Sequence, residues 1–148
     1  MIYFGYGSNM SPRIMAATCG DWRALGAAKL LDYRLAFTRK SARWGHGVAD
    51  VVPAAGEIVW GVLYEVGDDC LAALDVKEGV GIAYNRHQIT VTRKNSTAIT
   101  AMTYMVINKL ETELNPSPAY LDAIIDGAQA HELPTEYVNW LKSIAIAE

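Results

Sequence analysis

The chain has 148 residues, of which 51% are hydrophobic and 20% charged, enough for a full hydrophobic core in one domain spanning 1–148. A net charge of −3 without any basic stripe argues against a nucleic-acid partner. No apolar run approaches the ~20 residues that span a bilayer, and residues 1–20 carry turn chemistry where a leader would need a basic start. The expected protein is cytoplasmic, with no membrane partner.

Ile2–Tyr6 is an aromatic strand that runs into the turn Gly7-Ser8-Asn9. Ser11 and Pro12 then supply an N-cap and a first-turn proline, opening a short helix over Pro12–Thr18. A strand, a tight turn and a helix start leave backbone N–H groups that attract carboxylates and other anions. Leu30–Thr38 alternates apolar and polar positions as a second strand. Residues 41–56 are rich in Gly, Ala and Pro and read as a loop followed by a short strand near Val48–Val52. Ile58–Val66 is the most apolar strand candidate. Asp68 or Asp69 is expected to cap the helix that ends near Glu78, with Gly79 and Gly81 closing it. Asn85–Arg93 and Ala98–Ile107 alternate around Lys94-Asn95-Ser96-Thr97, which predicts a hairpin. Ser117-Pro118 starts a third helix over Ala119–Ala130, and Leu133-Pro134-Thr135-Glu136 opens a last one. The pattern is α+β with five to six strands and helices interspersed and trailing, and packing so many short strands favours a small barrel or a strongly bent sheet.

The chemistry-bearing residues are few. His46, His87 and His131 lack ligand spacing, so no metal is expected, although His46 between two glycines could lie beside a ligand. Cys19 and Cys70 have no motif spacing and are expected to be reduced and packed. Ser8 is not in a nucleophile elbow, and no phosphate-binding glycine motif follows the first strand. Gly5-Tyr6-Gly7 reads equally well as a tight turn needing positive φ. The basic residues Arg34, Arg39, Lys40 and Arg43 read as strand ends, a few of which could receive an anionic ligand. Glu78 ends an apolar helix, where the macrodipole disfavours its charge by ~0.3–1 kcal/mol. It reads as a solvated carboxylate or, if partly buried, as an acid/base with a raised pKa. Tyr84, Tyr104 and Tyr120 stand at element boundaries, as core rings or as hydroxyls lining a ligand site.

In series, four segments carry a resemblance: Tyr3-Phe4-Gly5-Tyr6-Gly7-Ser8-Asn9-Met10; Trp44–Ala49 with Trp60-Gly61-Val62; Leu74-Asp75-x-x-Glu78-Gly79-Val80; and Pro116-Ser117-Pro118 through Tyr120, Gly127-Ala128, Leu133-Pro134 and Glu136-Tyr137. Together they resemble the gamma-glutamylcyclotransferase family over nearly the whole chain. The resemblance implies a mixed β-barrel with helices and a cofactor-free cyclisation of a gamma-glutamyl group to 5-oxoproline, releasing an amino acid or amine. It further implies that Tyr3, Phe4, Gly5, Tyr6, Gly7, Ser8 and Asn9 hold the glutamyl moiety, chiefly through the Tyr6-Gly7-Ser8 backbone. Glu78 matches the family's general acid/base, and Tyr84, Tyr104 and Tyr120 match positions lining the cleft. Two alternatives stay open: a different leaving group, such as an amine or an acylated intermediate, and a non-catalytic small-molecule binder on the same fold.

Overall fold

In the computed structural model, which describes residues 1–148, five strands close into a mixed barrel in the order β1-β3-β2-β4-β5. The strands are β1 (Ile2–Gly5), β2 (Trp22–Lys40), β3 (Gly47–Val66), β4 (Tyr84–Arg93) and β5 (Ala98–Val106). Every pairing is antiparallel except β1 with β5, which meet in parallel at Tyr3 and Met102 and complete the barrel. Helices α1 (Pro12–Thr18), α2 (Asp68–Glu78), α3 (Pro118–Ala130) and α4 (Thr135–Lys142) lie outside it. One contiguous apolar core runs from Phe4, Val62 and Leu63 in the barrel to Ile124 and Leu141 in the last two helices.

The α+β barrel matches the expectation, and three local readings change. The strands expected at Val48–Val52 and Ile58–Val66 are one bent strand, β3. Its bend falls at Pro53–Gly56, where the pairing register with β2 slips between Leu31 and Tyr33. There the Gly56 N–H donates to Asp32 Oδ1 at 2.9 Å, and both residues have positive φ. β2 begins eight residues earlier than the alternating pattern, at Trp22. The cap of α2 is the backbone of Gly67, with Asp68 and Asp69 inside the first turn, where their charges still suit the dipole.

The cysteines are a further correction. Cys19, at the C-cap of α1, and Cys70, in α2, are joined in a disulfide. Packing of α1 against α2 brings their Cα atoms to 5.1 Å across a sequence separation of 51, a proximity that no spacing motif encodes. A bonded pair withdraws the thiol argument for a reducing compartment. No helix is long and apolar enough to cross a membrane.

Candidate active site

A cleft of about 350 Å³ opens at one end of the barrel. Its floor and one wall come from the chain leaving β1. After Gly5 the chain makes a 3-10 turn at Ser8–Met10 and enters α1, whose N-terminus is capped by Ser11 Oγ accepting from the Ile14 N–H at 3.3 Å. The N–H groups of Gly7, Ser8 and Asn9 donate to no acceptor within the chain, and all three residues line the cleft. Gly7 has φ −115°, and neither it nor Gly5 adopts positive φ, contrary to the turn reading. Glycine at position 7 answers a need for space: a Cβ would sit 3.3 Å from Ala49 Cβ and 3.4 Å from the Tyr120 hydroxyl. Gly127 of α3 is tighter still, since a Cβ there would come within 2.4 Å of the Met10 backbone. That close approach seats α3 directly on the turn.

The opposite wall is the end of α2. Gly79 takes the left-handed conformation (φ 61°, ψ 50°), stopping the helix so that Glu78 is its last residue and faces the cleft. One turn earlier, Asp75 accepts from Arg86 Nε at 3.0 Å, from the second arm of the same guanidinium, and from the Tyr104 hydroxyl at 2.8 Å. These bonds tie the end of α2 to β4 and β5. The Arg86 guanidinium holds the Asp75 carboxyl below its ordinary range.

The two walls meet at Asn9. Its buried side-chain Nδ2 donates to Glu78 Oε1 at 3.0 Å and to the Tyr3 hydroxyl at 2.9 Å. Its Oδ1 accepts from Lys77 Nζ at 2.5 Å. Glu78 keeps part of its surface open to the cleft, while protein packed around the carboxylate raises its pKa. The Lys77 ammonium and the Asn9 amide oppose that rise.

The tyrosines are held by their hydroxyls. Tyr6 donates to the Tyr104 carbonyl at 2.6 Å. Tyr84 donates to the Ala49 carbonyl at 2.8 Å, and Tyr120 accepts from the Ala49 N–H at 2.9 Å. Burial pushes Tyr3, Tyr6, Tyr84, Tyr104 and Tyr120 upward, so each stays a neutral phenol at physiological pH.

Of the residues singled out in the sequence, Tyr3, Tyr6, Gly7, Ser8, Asn9, Glu78, Tyr84, Tyr104 and Tyr120 all line this cleft. Phe4 and Gly5 do not: strand alternation turns the Phe4 side chain into the core, where it is fully buried. His46 is exposed and outside the lining. Lys77, Arg39, Arg43 and Trp44 line the cleft without having been singled out as site residues. Arg39 and Arg43 belong to the basic group read as strand ends, a few of which could receive an anionic ligand, and Lys77 carried no signal beyond its place next to Glu78. No three His, Cys, Asp or Glu side chains gather to hold a metal ion.

The AIG2-like family profile matches residues 58–141, from the middle of β3 into α4. Bovine gamma-glutamylcyclotransferase is 32% identical over 148 residues, covering 97% of this chain and 78% of the relative. The chain belongs to the gamma-glutamylcyclotransferase family. The human gamma-glutamylcyclotransferase is 31% identical at the same coverage. A solved structure named gamma-glutamyl cyclotransferase superposes with a TM-score of 0.94 at 29% identity, covering 100% of this chain and 89% of that one. As a member of the gamma-glutamylcyclotransferase family, the protein is an enzyme of the cyclotransferase type, built on the family's barrel.

Proposed function

We propose that the cleft cyclises a gamma-glutamyl group to 5-oxoproline, with Glu78 as general acid/base. The observation that carries this reading is the Glu78 carboxylate, partly open to the cleft, bonded to Asn9 and raised in pKa by burial. The substrate's α-nitrogen attacks its own γ-carbonyl carbon, and the new C–N bond closes a five-membered lactam. The C–N bond to the leaving group then breaks. Glu78 takes a proton from the α-ammonium, and a second is shed as the ring nitrogen becomes the lactam N–H. Both pass by way of Glu78 to the departing nitrogen, which leaves as an ammonium, so the reaction balances by proton transfer alone and calls for no cofactor. Both reacting atoms belong to one molecule, which makes holding the folded conformer the enzyme's main task. The free N–H groups of Gly7, Ser8 and Asn9 suit the substrate's α-carboxylate or the oxyanion that develops on the γ-carbonyl.

The rim of the cleft bears on the leaving group. Arg39 and Arg43 line it, and neither belongs to an ion pair, whereas Arg23, Arg34 and Arg86 each pair with a carboxylate. Two unpaired guanidiniums favour an amino acid, with its own carboxylate, over a cationic amine. A pure binder of an anionic glutamyl group gains nothing from a carboxylate placed beside it, which weighs against the non-catalytic alternative. The proposed compartment is the cytoplasm, where a persistent Cys19–Cys70 bond would be unusual.

The test is release of 5-oxoproline from a panel of gamma-glutamyl amino acids and amines. Glu78→Gln should retain substrate binding by calorimetry and lose turnover by roughly 100- to 10,000-fold. Turnover by Glu78→Gln at the wild-type rate would remove Glu78 from the mechanism.

A further inference from the structure

Lys77 precedes Glu78 and has no carboxylate among its hydrogen-bond partners. Its Nζ donates to Asn9 Oδ1 at 2.5 Å and to Thr18 Oγ1 at 3.3 Å. The Thr18 hydroxyl spends its own hydrogen on the Ile14 carbonyl at 2.9 Å, so its oxygen faces Lys77 as an acceptor. The last turn of α1 therefore fixes where the lysine amine lies.

An asparagine amide has one acceptor end and one donor end and can sit either way round. A lysine ammonium only donates. With Lys77 on one side, Asn9 must turn Oδ1 toward it, which leaves Nδ2 for Glu78 Oε1 and the Tyr3 hydroxyl. The reversed amide would set Oδ1 against the Glu78 carboxylate and Nδ2 against the ammonium, a donor-to-donor and acceptor-to-acceptor clash on both sides. We propose that Lys77 is a positioning residue for the reaction, acting through Asn9 to deliver an N–H to the Glu78 carboxylate. The inference rests on the acid/base role proposed for Glu78 and adds the group that sets its state.

The other groups facing Glu78 leave a clean reading of pH. Tyr3 and Tyr6 from β1 and its turn, Tyr84 from β4, Tyr104 from β5 and Tyr120 from α3 are all pushed up by burial. Arg39 and Arg43, from the end of β2 and its connection to β3, line the same cleft. Asp75, one turn back on α2, is held low by Arg86. Lys77 itself is brought down by its own burial, and the Glu78 charge opposes that fall. In the acid range Glu78 is thus the group in the cleft that changes charge as activity appears.

Lys77→Met and Lys77→Gln separate orientation from charge, because glutamine can still donate to Asn9 Oδ1 while methionine cannot. Lys77→Met should lower kcat about tenfold with KM changed less than twofold, and should move the acid limb of kcat/KM upward by about one pH unit. Lys77→Gln should recover kcat to within about threefold of wild type while keeping part of the upward shift. Overturning results are an acid limb unmoved in Lys77→Met, or equal kcat losses in the two variants. Loss of fold in both would assign Lys77 to structure and also overturn the proposal. Glu78→Gln assayed alongside distinguishes the failures. Turnover by that variant removes the acid/base role itself, whereas an inactive Glu78→Gln with wild-type-like Lys77 variants removes only the positioning role.

Discussion

Asn9 is where the two halves of the cleft are joined. Its one amide serves Tyr3, Lys77 and Glu78, which come from the first strand and from a helix about seventy residues later. Neighbouring side chains divide between those that hold this amide and those proposed to meet the substrate's far end. Arg39 and Arg43 belong to the second group. Arg39→Ala and Arg43→Ala should each raise KM about two- to fivefold for gamma-glutamyl amino acids, the range expected of solvent-exposed charge pairs. KM for gamma-glutamylamines of similar size should stay constant or fall, and initial-rate assays on matched pairs check this. Tyr3, Asn9, Glu78 and the later tyrosines were legible in the sequence because motif order pointed to them. Lys77 was not, since its role depends on the last turn of α1 lying beside α2. Phe4 and Gly5 were read as part of the site because a motif does not say which side of a strand each residue faces.

At the scale of elements, α2 carries the carboxylate proposed as the acid/base, and three attachments fix it. Asp75 ties its end to β4 and β5, Gly79 stops it, and the Cys19–Cys70 bond ties its first turn to α1. The disulfide closes a long loop, so replacing both cysteines with serine should lower unfolding stability by about 2–4 kcal/mol, measured by urea denaturation. Thiol titration of the unreduced, unfolded protein should find no free cysteine; two titrating thiols would return the pair to the reduced state expected from the sequence. The helices and the β4–β5 hairpin were readable because caps, prolines and alternation agree locally. The N-terminal part of β2 was not. Trp22–Lys29 has no β-branched residue, and its strand form comes from pairing with Trp60–Val66. The bend of β3 was read as a break because Pro53 and Gly56 are turn residues, and here they make a bulge inside one strand.

For the whole molecule, the cleft has a stability cost with a definite pH dependence. The folded pKa of Glu78 lies above its ordinary value of 4.5. Its contribution to stability is therefore complete below that ordinary value and is lost as pH rises through the raised folded value. Glu78→Gln should then melt higher than wild type at neutral pH, by roughly 2–4 °C for each kcal/mol of relief. The difference should vanish in scans below the ordinary carboxylate pKa, where both chains carry a neutral group. A lower melting temperature for the variant at neutral pH would mean that the ionised carboxylate stabilises the fold. The barrel as a class was legible from the count of short strands, but its order was not, because no local pattern says that β1 lies between β3 and β5.

The parallel contact of Tyr3 with Met102 sets a timetable for the molecule's birth. The strand that leads into the Ser8–Met10 turn is made before the other four, yet its closing partner is added about a hundred residues later. At ribosomal speeds of about 5–20 residues per second, that interval lasts roughly 5–20 s. Throughout it the nascent chain carries the turn on an unsealed edge and has no working cleft. A truncated product that ends before β5 would be inert, and its open stave would invite pairing with a second chain.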